Sequence, residues 1–293
     1  MKNFTRILTI IFILCLLSGC ARQDAQPQVA ATTLPVYEFT SLLCQGTDVT
    51  VGRLVTENVS CLHDYTLQVR QMRMIENAQV IVLSGLGLED FLSDALLGKE
   101  QVIDASQGIE PICPEEDHHH HHDNHGHSHE NDPHIWLSPL NSKTMASNIC
   151  TQLCAIYPQH KEAFERNLLD LHNRLDALYR YGLDNLEPIG NRKLITFHDG
   201  FAYFAQCFDL EILRAMEEES GREASAAELK ELIGLVEVHQ PGVFTEKSGS
   251  ATAAQVIARE TGCSLYQLDM AMSGDSYFDA MYHNIDAVKE ALG

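Results

Sequence analysis

Residues 158–178 read Pro-Gln-His-Lys-Glu-Ala-Phe-Glu-Arg-Asn-Leu-Leu-Asp-Leu-His-Asn-Arg-Leu-Asp-Ala-Leu, and the pattern runs on to Leu186 with no glycine before Gly182. Leucines at 168, 171, 175 and 178 are spaced 3, 4 and 3 residues apart. That spacing draws one apolar stripe along an otherwise polar helix. At ~1.5 Å per residue the helix over 158–186 would reach about 35–40 Å, enough to run along two lobes.

What flanks this helix decides the fold class. Before it, 29–33, 49–55, 80–84 and 101–104 read as strands, and 36–45, 66–78 and 88–97 as helices. Residues 139–156 carry Met145, Ile149, Leu153 and Ile156 at helical spacing. After it, 193–197, 211–214, 243–245 and 264–268 read as strands, and 201–207, 225–239, 250–261 and 277–292 as helices. Ser225 with Glu228 forms a capping-box signature. Alternation of this kind predicts parallel sheets flanked by helices. The expected architecture is α/β with two lobes: 30–157 and 187–293, joined by one long rigid linker helix at 158–186, with any ligand held in the cleft between lobes.

The first residues read as a targeting segment. Lys2 and Arg6 precede an apolar run from Ile7 to Leu17, too short to span ~30 Å of hydrocarbon as a helix. Leu17-Ser18-Gly19-Cys20 matches the bacterial lipobox. The expectation is a signal peptide over 1–19, lipid on the Cys20 sulfur, and a polar tether to residue 29. The protein would then be extracytoplasmic and held to the cell membrane by its lipid.

The formal charge is −21. Removing Lys2 and Arg6 leaves 18 basic against 41 acidic groups. Such a balance disfavours nucleic acid and charge-driven binding to an anionic membrane, and it suits a protein that attracts cations. Beyond Cys20 the cysteines are Cys44, Cys61, Cys113, Cys150, Cys154, Cys207 and Cys263, an odd number with no Cys-x-x-Cys pair. A thiolate zinc site is therefore not indicated. Cys150 and Cys154, four apart on a helix, read as small buried residues; Cys61 stays open as a soft ligand near His63 or a disulfide partner of Cys44, and the disulfide pairing as a whole is open.

Residues 117–134 contain nine of the fifteen histidines. Neutral imidazole is the commonest ligand for zinc and its neighbours. A stretch so poor in apolar side chains cannot repay the entropy of ordering a core. We read 117–130 as a metal-collecting loop whose weak ligands are His118, His119, His120, His121, His122, His125, His127 and His129.

Four further residues stand where predicted strands end or helices begin. His63 follows the second strand by a loop; His134 sits just after the histidine tract; His198 follows the strand 193–197; Asp269 follows the strand 264–268. In open α/β sheets ligands collect at the carboxyl ends of strands, in the crevice between halves. Each residue alone reads more readily as a hydrogen-bonded loop residue than as a ligand. Together, two from each lobe, they offer three nitrogens and one oxygen, a set suited to tetrahedral zinc.

The chain resembles the metal-binding solute-binding lipoproteins of ABC importers, the helical-backbone class that takes up zinc or manganese. The resemblance rests on Ser84-Gly85-Leu86-Gly87-Leu88-Glu89, on Asp-Pro-His-Ile-Trp-Leu-Ser-Pro at 132–139, on Thr196-Phe197-His198-Asp199 and the Gly-Phe-Ala-Tyr-Phe that follows, and on Gly274-Asp275-Ser276-Tyr277 with Asn284. It covers essentially the mature chain. It implies ligands at His63, His134 and His198, with Asp269 or water fourth. One departure stands out: the family's Pro-His-x-aromatic-Glu run is Leu62-His63-Asp64-Tyr65-Thr66 here. Asp64, Asp132 and Asp199 are candidates to accept from ligating imidazoles, and Tyr65 and Trp136 to pack around them.

Imidazole-rich sites favour zinc, whereas manganese favours carboxylates. The expected function is capture of one tightly held Zn2+ and its delivery to the permease of an ABC-type metal importer, by a monomer. A manganese- or iron-binding member of the class, or a surface adhesin or metal store, is the alternative. Enzymatic chemistry is not expected, since neither a His-Glu-x-x-His run nor a Gly-x-Ser-x-Gly elbow occurs.

Overall fold

The computed structural model describes residues 26–57, 59, 62, 65–113, 131–216, 224–247 and 251–293. The leader, Cys20, Cys61, His63, Asp64 and the histidine tract at 117–130 lie outside the described residues.

Two four-stranded parallel sheets form the two lobes, as expected. The first contains β1 (Val29–Ala31), β2 (Val51–Arg53), β3 (Val80–Leu83) and β4 (Val102–Asp104), in the order β2-β1-β3-β4. The second contains β5 (Lys193–Thr196), β6 (Glu211–Ala215), β7 (Gly242–Glu246) and β8 (Leu265–Leu268), in the order β6-β5-β7-β8. The winding is the same in both. Central strands are short and buried on both faces, as in the apolar Val-Ile-Val of β3 and in Gly-Val-Phe-Thr-Glu of β7, as parallel sheets covered by helices require.

The connecting helices are α1 (Leu34–Leu43), α2 (Val69–Asn77), α3 (Pro139–Ile156), α4 (Lys161–Leu186), α5 (Ala202–Cys207), α6 (Ala226–His239), α7 (Thr252–Thr261) and α8 (Tyr277–Leu292). Helix α6 starts on the expected capping box: Ser225 Oγ accepts from Glu228 N–H at 3.2 Å, and the Glu228 carboxylate accepts from Ser225 N–H at 2.8 Å.

The long helix α4 spans 26 residues, about 39 Å. It starts at Lys161 rather than Pro158. Tyr157 breaks away from α3, and residues 158–160 form one tight 3-10 turn before the helix proper. Leu171, Leu175 and Leu178 are buried, so the stripe is the face α4 packs with. Near its start, Asn167 donates to the carbonyls of Leu43 and Gln45. Further along, Lys143 of α3 meets Asp176 at 2.6 Å. Its last turns belong to the second lobe: Tyr181 donates to Asp286 of α8 at 2.6 Å and Lys289 to Asn185 at 2.8 Å. At Gly182 a Cβ would lie 2.2 Å from the Phe208 ring, so glycine there lets that ring lie directly on the helix.

A second junction joins the lobes on the cleft side. Trp136, fully buried, donates its indole N–H to the Met270 carbonyl at 2.7 Å. Tyr277 donates to the Trp136 carbonyl at 2.9 Å. Leu34 N–H reaches the Met272 carbonyl at 3.2 Å, and Tyr277 N–H reaches Glu38 at 2.6 Å. One apolar core runs through both lobes from Val29 to Val288.

One expected helix is absent. Residues 88–97 hold a single 3-10 turn, Asp90–Leu92, among other turns. Gly85, Leu86 and Gly87 all have positive φ, and so does Gly98. The backbone therefore curls back on itself, which lets the buried Glu89 carboxylate accept from Ser84 N–H at 2.7 Å, Gly85 N–H at 3.0 Å and the Thr32 hydroxyl at 2.6 Å.

Candidate metal centre between the lobes

Each imidazole of the described site is set by the element beside it. His134 precedes the 3-10 turn Ile135–Leu137, whose three side chains are buried and fasten the segment to the core. Ser138 then caps α3, its Oγ accepting from Asn141 N–H at 3.3 Å. His198 lies two residues past β5, and Phe197 N–H still extends the ladder to the Phe244 carbonyl at 2.9 Å. Both histidines are buried. Their rings approach edge to face, with centroids 5.4 Å apart and planes at 85°. Two imidazoles on one tetrahedral zinc, each at 2.0–2.1 Å, would have centroids about 5 Å apart.

The Nδ1 edge of each ring faces a carboxylate from its own lobe. Asp132 Oδ1 lies 2.8 Å from His134 Nδ1 and also accepts His134 N–H at 2.9 Å. Glu246 Oε2 lies 3.7 Å from His198 Nδ1, an electrostatic contact rather than a hydrogen bond. Glu246 is the last residue of β7 and is buried. Burial, and then the charge of Asp269, push its carboxyl up to about 7. Asp199, next to His198, is also raised, first by burial and then by the Asp132 charge, against the opposing pull of His134.

Space for the pair comes from Gly200. A Cβ there would stand 3.0 Å from His134 Nδ1, 3.0 Å from His198 Cδ2 and 2.6 Å from the Met270 methyl. Three groups from three segments crowd the place where a side chain would have been.

The other sequence candidates fall as follows. His63 lies outside the described residues, as do the eight loop histidines and Cys20. Asp269 is close to Glu246 in charge, but its Oδ2 pairs with Lys247 at 3.0 Å and its Oδ1 accepts from Ala271 N–H at 2.8 Å. Among the described residues no three His, Cys, Asp or Glu side chains gather tightly enough to hold an ion by themselves. Of the expected supporting carboxylates, Asp132 reaches its histidine directly. Trp136 packs edge to face on His134, centroids 5.4 Å apart. Tyr65 instead meets Phe91, Glu57 and Gln71. Cys44 is a buried free thiol, and Cys150 and Cys154 are free with sulfurs 4.0 Å apart.

Glu246 escaped the sequence reading. The strand expected at 243–245 stops at Thr245, one residue short of Glu246. Its signal was positional: like His198, it stands at the carboxyl edge of the second sheet.

The histidine-bearing insertion leaves the fold beside this site. Asp132 N–H bonds the Ile112 carbonyl at 2.8 Å, closing its base. The Tyr203 hydroxyl, from the second lobe, accepts from Ile112 N–H at 2.9 Å and donates to the Asp132 carbonyl at 3.1 Å.

The profile of the family described as zinc-uptake complex component A, periplasmic (ZnuA) matches residues 29–291. The chain belongs to this family. The high-affinity zinc uptake system protein ZnuA of Bacillus subtilis (strain 168) is 29% identical over 282 residues, 90% of this chain and 87% of that protein. The zinc-binding lipoprotein AdcA of Streptococcus pneumoniae serotype 4 (strain ATCC BAA-334 / TIGR4) is 28% identical over 308 residues, 99% of this chain but only 61% of AdcA. A crystal structure of ZnuA superimposes with a TM-score of 0.78 at 28% identity, covering 91% of this chain and all of that one. The two parallel sheets bridged by a long helix are this family's fold.

Proposed function

We propose that this protein is the zinc-capturing component of an ABC-type metal importer. It would be carried outside the cytoplasmic membrane on a lipid at Cys20, and it would hand its cargo to the importer's permease. The observation that carries this reading is the meeting of His134 and His198 from opposite lobes at 5.4 Å, Asp132 and Glu246 behind them and Gly200 leaving room. Zinc is the cargo, and His63 is the third imidazole. Asp269, engaged by Lys247 and Ala271 N–H, serves as fourth ligand only by exchanging the lysine for the ion; water is the other occupant of that position. Zinc bound by relatives supports the choice of metal, and the donor set agrees with it, because imidazole suits zinc better than manganese. A binding component rather than an enzyme accords with the family's role in transport.

The histidines at 118–129 would collect metal weakly and raise its local concentration beside the tight site. The shared core and the α4 helix restrict the lobes to small relative shifts, so release would come from local loop movement.

Elemental analysis of protein purified without added metal tests the reading. Wild type should hold one tight equivalent of zinc, and His63→Ala, His134→Ala and His198→Ala should each lose it. Retention of that equivalent by the His134→Ala and His198→Ala variants would refute it.

A further inference from the structure

Glu246 is a buried acid with no place in the reading above beyond standing behind His198. Its position is specific. Strand β7 ends on it, and the β7–β8 register sets Glu246 opposite Leu268, one residue before Asp269. Lys247 turns outward and takes Asp269, which leaves Glu246 directed inward on the His198 side. Both side chains of the Glu246–His198 pair are almost wholly enclosed, 4% and 9% exposed. A carboxylate at this depth is costly unless something of opposite polarity faces it. On the other lobe Asp132 stands behind His134 Nδ1 at 2.8 Å. The two lobes thus set an acid against the same ring nitrogen of each imidazole.

We infer that Glu246 is a positioning residue for metal capture: it faces His198 Nδ1, keeps the proton there, and so leaves Nε2 as the bare nitrogen that meets the ion. The carboxylate does not touch the cargo. It fixes the tautomer and ring angle of the ligand, as acceptors behind ligating imidazoles do. The 3.7 Å separation closes to a hydrogen bond by a small rotamer change when a cation on Nε2 makes Nδ1–H a stronger donor. The assignment rests on the zinc-capture reading and deepens it.

Two measurements test it, and they fail separately. In metal-free protein, 15N NMR of His198 should show Nδ1 protonated and Nε2 bare in wild type. In Glu246→Leu, of similar volume but without an acceptor, the resonances should move toward a tautomer mixture. Zinc affinity by competition with a chelator should fall about 10- to 100-fold in Glu246→Leu, the usual loss on removing such a partner. It should fall much less in Glu246→Gln, whose amide oxygen still accepts. Circular dichroism and thermal melting confirm that both variants fold. A folded Glu246→Leu with zinc affinity within about twofold of wild type would overturn the assignment, and so would a wild-type His198 protonated on Nε2. If instead wild type holds no tight zinc, the functional reading falls, while the tautomer measurement still decides what Glu246 does.

Discussion

Tyr203, on the second lobe, donates its hydroxyl to the backbone carbonyl of Asp132, on the first, at 3.1 Å. The carboxylate of that same aspartate holds His134 at 2.8 Å. A single phenol therefore ties the base of the histidine insertion, one imidazole of the His134–His198 pair and the opposite lobe together. In Tyr203→Phe, Asp132 loses this tether and Ile112 N–H loses its acceptor. Both hydrogen bonds are only part-buried, so we expect about 0.5–1.5 kcal/mol less stability in urea unfolding, the range for a typical hydrogen bond, together with weaker zinc binding.

Gly200 has an ordinary negative φ, so alanine there meets crowding rather than backbone strain. Gly200→Ala should fold, because the Met270 methyl is flexible. It should nonetheless push His134 and His198 off their mutual geometry and weaken zinc by about tenfold, comparable with losing a supporting contact. Titration against a competing chelator reads this. Unchanged affinity would show that the crowding at 200 does not set the spacing of the rings.

Deleting 117–130 should leave the tight equivalent of zinc in place and remove only the weak ones. Equilibrium dialysis at rising zinc concentration separates the two classes. Loss of the tight equivalent would mean the insertion supplies a ligand to the centre.

Leu175 is fully buried in the stripe by which α4 packs. Leu175→Ala should cost about 2–5 kcal/mol in chemical denaturation. Both lobes should unfold in the same transition, because one core passes through them.

Glu89 gives a pH signature independent of metal. Burial lifts its carboxyl from 4.5 to about 7, despite three hydrogen bonds that favour the charged form. The folded state thus binds the proton more tightly than the unfolded chain does. Its contribution to stability is full below about 4.5 and is lost as pH rises through about 7. Between these values its slope is at most about 1.4 kcal/mol per pH unit. Glu89→Gln should flatten that segment of the stability curve for metal-free protein, measured by urea unfolding at pH 5, 6 and 7. An unaltered curve would count against the shift.

Much of the frame was written in local pattern. Apolar β runs, the 3-and-4 leucine spacing at 168–178 and the Ser225–Glu228 cap each depend on neighbours a few residues away, so a single chain displays them. Residues 88–97 misled because Leu88 and Leu92 are buried at helical spacing, although positive φ at 85–87 and 98 coils that backbone into turns. The pairing of Lys247 with Asp269, and the turn of Glu246 toward His198, follow from the β7–β8 register, which no local pattern reports. His134 and His198 were visible as polar residues beside predicted elements; that their rings come within 5.4 Å depends on how two sheets close against each other.

The chain has one tryptophan, and it sits where the lobes join, bonded to Met270 and in ring contact with His134. Its emission therefore arises from a single place beside the His134–His198 pair. Protonation or metallation of the neighbouring ring, or any shift of the Met270 backbone past β8, alters the indole's surroundings directly. Stopped-flow mixing with zinc can time loading and release from that intrinsic signal, with no dye attached.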